Sequence, residues 1–268
     1  MGKIATNILA GGNGWSVADV SCTYGPQDRA FEEQHTSISI SVVVEGSFQY
    51  RSTSGSEVMS PGSLLLGNPG QYFECGHDHG AGDRCLAVFY APEFFERARL
   101  PGTFSIQRIP PISDLAPWNV QARRAIEDPG AVAFEEFAHG LPAAVLGTQG
   151  LNRRLSSPPS AADERRISAA LRLIEANLQE SLPLERLARS AKMSEFHFLR
   201  TFKQVMQVTP HQYILRARLR EAAVRLKTRS ARVVEIALDA GFGDLSNFNH
   251  AFRAEFGLSP SQFRSKRH

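Results

Sequence analysis

Met193-Ser194-Glu195-Phe196-His197-Phe198-Leu199-Arg200-Thr201-Phe202-Lys203, followed by Thr209-Pro210-His211-Gln212-Tyr213, is the stretch on which the reading of this chain turns. It returns at an offset of 50. Ser194 matches Asp244, Phe198 matches Phe248, Phe202 matches Phe252 and Lys203 matches Arg253. Thr209-Pro210 then matches Ser259-Pro260, and Tyr213 matches Phe263. Just upstream, at an offset of 49, Leu187, Ala188, Ala191 and Met193 match Ile236, Ala237, Ala240 and Phe242. An internal repeat of this kind marks one structural unit used twice. Each copy follows the same physics. A short amphipathic helix (184–190; 233–239) ends near a small residue and a turn. Ser194 or Asp244 then caps the next helix through a side-chain oxygen. That helix buries two Phe at i, i+4 and turns its opposite face outward. Thr209-Pro210 and Ser259-Pro260 read as N-cap plus N1 proline of the helix that follows. Two short helices around a tight turn, the second presenting a polar face, predict a helix-turn-helix. One copy alone leaves DNA binding open, because small helical domains of other function use the same pattern. A long helix from His211 to about Lys227 separates the copies.

The charge around the repeat favours a polyanion as partner. Residues 161–268 carry 19 Lys/Arg against 11 Asp/Glu, a net of +8, while residues 1–160 carry 11 against 16, a net of −5. The formal charge of +3 therefore hides two halves of opposite sign, which suggests two domains with different partners. A length of 268 residues accommodates two ordinary cores, and 42% apolar residues is the composition of a globular chain. No run of about 18 apolar residues occurs, so no transmembrane helix and no membrane partner are expected. Met1 to Ala5 leads through Thr6 and Asn7 into Gly11-Gly12-Asn13-Gly14, too short and broken for a secretory signal. Three Cys, an odd number, argue against a disulfide framework. The expected location is the cytoplasm.

The repeat also resembles a known family. Met193 to Lys203 with Thr209 to Tyr213 is similar to the first half of the AraC/XylS signature. Ile236 to Asp244, Phe248 to Phe252, and Phe256-Gly257-Leu258-Ser259-Pro260 are similar to the second half. The resemblance covers about residues 165–265. It implies a bacterial transcription regulator whose two recognition helices enter successive major grooves on one face of double-stranded DNA. In that family most members activate, which implies RNA polymerase as a partner.

The outward face follows from the buried one. With Phe198 and Phe202 inward, Phe196, Leu199, Arg200 and Lys203 face out, and the repeat makes Ser246, Asn249, His250 and Arg253 their counterparts. Asn247 belongs to the same candidate surface, and the resemblance points to the same positions. Arg200 is the strongest base reader, since its planar fork matches guanine N7 and O6, and Asn249 can pair with adenine. Phe196 and Leu199 suit thymine methyls. Lys203 and Arg253 sit where phosphates are expected, the alternative being a solvated helix face. His197 is expected to be structural or to meet phosphate rather than to read a base.

The acidic half reads as β over its first 110 residues. Ser37 to Val44 is β-branched and alternates, and Gly46 breaks it before Ser47-Phe48-Gln49-Tyr50-Arg51. Turns at Ser60-Pro61-Gly62 and Asn68-Pro69-Gly70 precede Leu64-Leu65-Leu66 and Tyr72-Phe73-Glu74-Cys75, and Leu86 to Phe89 closes the set. Short strands at such spacing predict a sandwich or small barrel. His35, Val44-Glu45-Gly46 and Pro61 to Leu65 resemble the cupin-like sensor of many AraC-type regulators, which implies a barrel able to hold an effector. Residues 119–127 and 131–146 read as helices broken by Asp128-Pro129-Gly130. Phe134, Phe137, Leu141 and Val145 form an apolar stripe, either a homodimer surface or a face packed on the barrel. Gly147 to Ala162 is the best linker, and Asp163 a plausible N-cap for the helix after it.

Cys75-Gly76-His77-Asp78-His79 and Cys85 supply two Cys and two His within eleven residues. Three readings stand: a metal ion held at Cys75, His77, His79 and Cys85; a thiol or effector contact; or a glycine-rich loop with solvated histidines and buried thiols. The spacing fits no standard zinc module. A cupin-type enzyme using His35, His77 and His79 is the competing class, against which stand the missing paired His and carboxylate near His35 and the absence of a nucleophile elbow, phosphate loop or H-E-x-x-H. A DNA binder without an effector is the third. The expectation is a non-enzymatic, effector-responsive regulator of the α+β multidomain class. It comprises a cupin-like β-barrel sensor over 1–110 with trailing helices, a helical dimerisation or linker segment over 111–160, and an all-α tandem helix-turn-helix DNA-binding domain over 161–268.

Overall fold

A computed structural model describes residues 2–28, 32–77, 82–148 and 159–266. The first half builds two antiparallel sheets. Strands β1 (Ile4–Gly12), β2 (Trp15–Cys22), β4 (Ile38–Gly46), β7 (Leu64–Gly67), β9 (Asp83–Tyr90) and β10 (Arg108–Ile109) form one sheet in the order β1-β2-β9-β4-β7-β10. Strands β3 (Glu32–Gln34), β5 (Phe48–Ser52), β6 (Gly55–Met59) and β8 (Tyr72–Gly76) form the other, in the order β3-β8-β5-β6. Among the described residues no ladder joins the two sheets, so the expected barrel is an open two-sheet arrangement. The chain changes sheet between β4 and β5, where Gly46 adopts φ +76°, a left-handed conformation costly for any residue with a Cβ. The Gly11-Gly12-Asn13-Gly14 run is the turn of the β1–β2 hairpin.

Alternation along β4 divides the large sheet into two faces. Ile38, Ile40, Val42 and Val44 join Leu86, Val88 and Tyr90 in a core covered by helices α1 (Pro92–Arg97), α2 (Ala116–Glu127) and α3 (Phe134–Thr148). Ser39, Ser41, Cys85 and Ala87 look the other way, into a cavity of about 410 Å³ between the sheets. Phe137, Leu141 and Val145 are wholly buried in the helix-covered core, with Phe134 packed at its margin. The stripe on α3 therefore packs on the sheet and is not free to form a dimer surface. Fully burying each such side chain is worth about 1.5–3 kcal/mol, which the sheet recovers within one chain.

The second half is helical: α4 (Ala161–Ala176), α5 (Leu184–Ser190), α6 (Glu195–Met206), α7 (Pro210–Thr228), α8 (Val233–Asp239), α9 (Leu245–Phe256) and α10 (Pro260–Ser265). The cap of α4 is Ser160, whose side chain accepts from the Asp163 amide, so the helix starts earlier than an Asp163 cap would put it. Most of the expected linker, residues 149–158, lies outside the described residues. No helix among them is long and apolar enough to cross a membrane.

The two halves pack against each other. Val58 of β6 joins the core of α4 to α7, and Val120 of α2 joins the core of α7 to α10. Arg123 of α2 pairs with Glu221 of α7 at 2.7 Å, and Arg216 of α7 donates to the Pro111 carbonyl at 2.8 Å. Arg108, 2% exposed, donates to the Val205 and Met206 carbonyls at 3.3 and 3.4 Å and lies 3.6 Å from Glu57. Those carbonyls are the last two of α6, where a cation complements both the unsatisfied acceptors and the helix dipole.

The repeat extends to backbone strain. Helix α9 ends at Gly257 with φ +71°, whereas its counterpart α6 ends at Gln207 with φ +61°. A left-handed residue with a Cβ costs about 1–2 kcal/mol, part of which glycine gives back as chain entropy. Gln207→Gly is accordingly expected to stabilise by about 0.5–1 kcal/mol, read as a rise in the urea midpoint.

Candidate nucleic-acid interface and internal cavity

In each copy a short helix, a tight turn and a second helix are held by one internal aromatic pair. Phe198 and Phe202 lie 5.5 Å apart and are fully buried, and Phe248 and Phe252 repeat this at 5.4 Å. Tyr213 and Phe263 close the two cores edge-on, at 6.0 and 5.3 Å. The tight turns place Lys192 (φ 53°) and Gly241 (φ 90°) in left-handed backbone. Ser194 caps α6 through the His197 amide, and Asp244 caps α9 through the Asn247 amide at 2.7 Å. Thr209 with Gln212, and Ser259 with Gln262, form full capping boxes.

The face left outward is the expected one. Phe196, Leu199, Arg200 and Lys203 on α6 are exposed, as are Ser246, Asn247, Asn249, His250 and Arg253 on α9; His197 is half-buried. Phe196 is 78% exposed, an aromatic ring given to solvent at the start of a helix whose other Phe are buried. Among the described residues, Arg200, Lys203 and Arg253 have no carboxylate partner. Other cations of this half are bound internally: Arg216 to Glu255, Arg220 to Glu175, Arg225 to Glu221. Helices α6 and α9 thus keep their cations free of internal carboxylates among the described residues.

Between the sheets, Cys75, His77 and Cys85 line the cavity together with Cys22, Asp83 and His35. Cys75 and Cys85 line this cavity but are not in its group of close donors. Among the described residues, the group whose donor atoms all lie within 4.8 Å of one another is Cys22, His77 and Asp83. Cys22 Sγ lies 3.4 Å from His77 Nε2, and Asp83 Oδ2 lies 2.6 Å from the same nitrogen. Cys22 and Asp83 are direct cross-strand partners of β2 and β9, so strand register puts both side chains on the cavity face. Burial raises the Cys75 and Cys85 thiols well above the usual range, with the Asp83 carboxylate adding to it. Burial would lower His77, but its hydrogen bonds to Asp83 and Cys22 and their charges outweigh this and lift it to about 9. His79 lies outside the described residues.

A helix-turn-helix domain family matches residues 187–266. AarP, an HTH-type transcriptional activator of Providencia stuartii, is 36% identical over 98 residues, which cover 37% of this chain and 73% of AarP. The chain belongs to the AraC family. The regulator ArgR of Pseudomonas aeruginosa is 34% identical over 116 residues, 43% of this chain and 33% of ArgR. This AraC-family chain thus spans about a third of the length of ArgR. The crystal structure of an AraC-type regulator from Chromobacterium violaceum, 30% identical, covers 40% of this chain and 96% of its own, with a TM-score of 0.38.

His35 stands apart from the Cys22 group in the sheet-rich half of this AraC-family chain. Its Nε2 meets the Tyr50 hydroxyl at 2.9 Å, and its ring stacks on Phe73 at 4.3 Å. Burial holds the imidazole neutral and lowers its pKa from 6.5 to about 4. The unfolded chain therefore takes up this proton first as pH falls. The stability it contributes is present above pH 6.5 and is lost as pH falls through about 4. Urea unfolding is expected to show wild type losing up to about 3 kcal/mol relative to His35→Gln as pH falls through this window, at about 1.4 kcal/mol per pKa unit.

Sequence reasoning missed Cys22 and passed over Asp83 as a ligand. Asp83 was visible inside the Gly82-Asp83-Arg84-Cys85 run. Cys22, far away in sequence, carries no local signal of its own.

Proposed function

We propose that this chain is a sequence-specific DNA-binding transcription regulator. The observation that carries the reading is the pair of outward helix faces on α6 and α9, each holding cations without carboxylate partners. Arg200 reads guanine and Asn249 adenine, Phe196 and Leu199 meet thymine methyls, and Lys203 and Arg253 hold phosphate. Ser246, Asn247 and His250 complete the surface on α9, and His197 packs or meets phosphate. Helix α7, with 19 residues, spans about 28 Å at 1.5 Å per residue. That length suits two recognition helices one DNA turn apart, about 34 Å.

In this reading residues 161–268 bind DNA, residues 1–110 form a cupin-like sensor and 111–160 connect them in a cytoplasmic protein. The cavity supports an effector-responsive sensor, since about 410 Å³ suits a small molecule. An activator would engage RNA polymerase, and a homodimer would present four recognition helices with half-sites at whole-turn separations. With the α3 stripe covered, a dimer would use another face.

Selection of bound sequences from a random library by the full chain, followed by gel-shift titration over a salt series, tests the reading. A recovered motif with two boxes about ten base pairs apart, and affinity that falls with salt, is the expected result. Binding that is insensitive to both sequence and salt overturns it.

A further inference from the structure

We infer that Cys22, His77 and Asp83 form a binding site for one divalent transition metal of the zinc class, its fourth position open to the cavity between the sheets. Three different donors converge here on a single point. The thiol sulfur and a carboxylate oxygen both face His77 Nε2, at 3.4 and 2.6 Å. One ring nitrogen carries at most one proton, so the two contacts must share a single N–H or lone pair. In the metal-free chain Asp83 takes the short contact at 2.6 Å and the sulfur, at 3.4 Å, is the weaker partner of the same nitrogen. A cation explains all three, because sulfur, imidazole nitrogen and carboxylate oxygen are the usual zinc donors. Their present spacing, all within 4.8 Å, needs only a small opening of the His77–Asp83 contact to accept an ion at bonds of about 2.0–2.3 Å.

The framework around the donors is stiff. Cys22 and Asp83 are ladder partners, and Asp83 also pairs with Gly46 of β4. Gly82 (φ +71°) lies so close to β2 that a Cβ there would sit 2.3 Å from the Cys22 carbonyl oxygen. The Cys22–Asp83 approach therefore requires glycine at 82. The His77 ring packs against Tyr24 and Phe48, with centroids 6.3 and 6.0 Å away in a stacked arrangement, which limits its rotation. The side chains of His77 and Asp83 are 4% and 9% exposed, and Cys22 is 8% exposed, so the donors are shielded from bulk water. All three line the cavity, so a three-coordinate ion would present its vacant position to whatever enters there. Three protein ligands with one open position is an arrangement that binds exchangeable ligands, whereas purely structural zinc sites are closed by four protein donors.

Binding requires the donors to be deprotonated. The Cys22 thiol proton and any proton on His77 leave to solvent as the metal–sulfur and metal–nitrogen bonds form, so affinity rises with pH. No oxidant or reductant is involved.

The site is tested on the full chain, purified without a histidine tag, stripped by chelation and titrated with Co(II). The expected result is one equivalent bound, with a near-ultraviolet sulfur-to-cobalt charge-transfer band that Zn(II) abolishes by competition. Cys22→Ser is expected to lose that band and bind at least about tenfold more weakly, whereas Cys85→Ser keeps both. Asp83→Asn, which leaves the thiol in place, is expected to keep the band while weakening binding about tenfold or more. This variant also serves should Cys22→Ser fail to fold. Absence of the charge-transfer band in the wild type, or its survival in Cys22→Ser, overturns the site. The readout is spectroscopic, so its outcome is independent of whether the chain binds DNA.

Discussion

Arg108→Ala is expected to destabilise the chain by about 3 kcal/mol. Arg108 is 2% exposed and engages both Glu57 of β6 and the final carbonyls of α6. Burial lowers its pKa, and Glu57 opposes that fall, which marks a guanidinium held charged against its own desolvation. Removing one partner of a buried ion pair costs about 3–5 kcal/mol, because the survivor stays buried without compensation. Glu57 retains one-third side-chain exposure and can recover some hydration, which places the value at the lower end. Burial raises the Glu57 carboxyl despite Arg108, so without Arg108 its pKa climbs further and the acid is neutralised sooner as pH falls. Urea unfolding of Arg108→Ala, Glu57→Gln and the double variant measures the effect. A double-mutant cycle coupling of about 1–2 kcal/mol is expected, and additive losses would remove the pair from the account. The same contact ties the sheet-rich half to the C-terminus of a recognition helix. The variant is therefore also expected to change how the two halves move together, seen as faster amide exchange along 200–206.

Arg200→Ala is expected to weaken specific binding by about 1–3 kcal/mol, or roughly 5- to 150-fold, and to relax preference at one base position. The physical basis is a planar fork on an exposed helix face, unclaimed by any carboxylate among the described residues. Guanine offers two acceptors at matching separation, and losing both hydrogen bonds removes discrimination as well as affinity. Lys203→Ala supplies the contrast. A phosphate contact lowers affinity on all sequences alike and reduces the slope of log affinity against log salt by about one. Gel-shift titrations on the selected site and on a base-substituted site separate the two. Unchanged affinity and unchanged preference in Arg200→Ala would remove it as the base reader.

The helix-turn-helix repeat was legible because its determinants are local. A cap and its amide are three residues apart, paired Phe are four apart, and proline at N1 acts on its own turn. These interactions form whatever the rest of the chain does, so the outward face followed by subtraction. The cap of α4 was misplaced for a related reason: Ser160 and Asp163 can both cap, and the choice depends on where the chain enters the helix.

Local chemistry alone specified the tandem helical unit, the outward faces of α6 and α9 and the β character of the first half. Tertiary packing left two sheets open around a cavity, because closure depends on which strands pair. It decided that the α3 stripe serves the sheet and not a partner, since an apolar face is equally satisfied by either. It also brought Cys22 to Asp83 through the register of β2 on β9, and Arg108 to the end of α6 across 97 residues. Contacts of that separation leave no periodic trace in a sequence, because nothing near either residue changes when they meet.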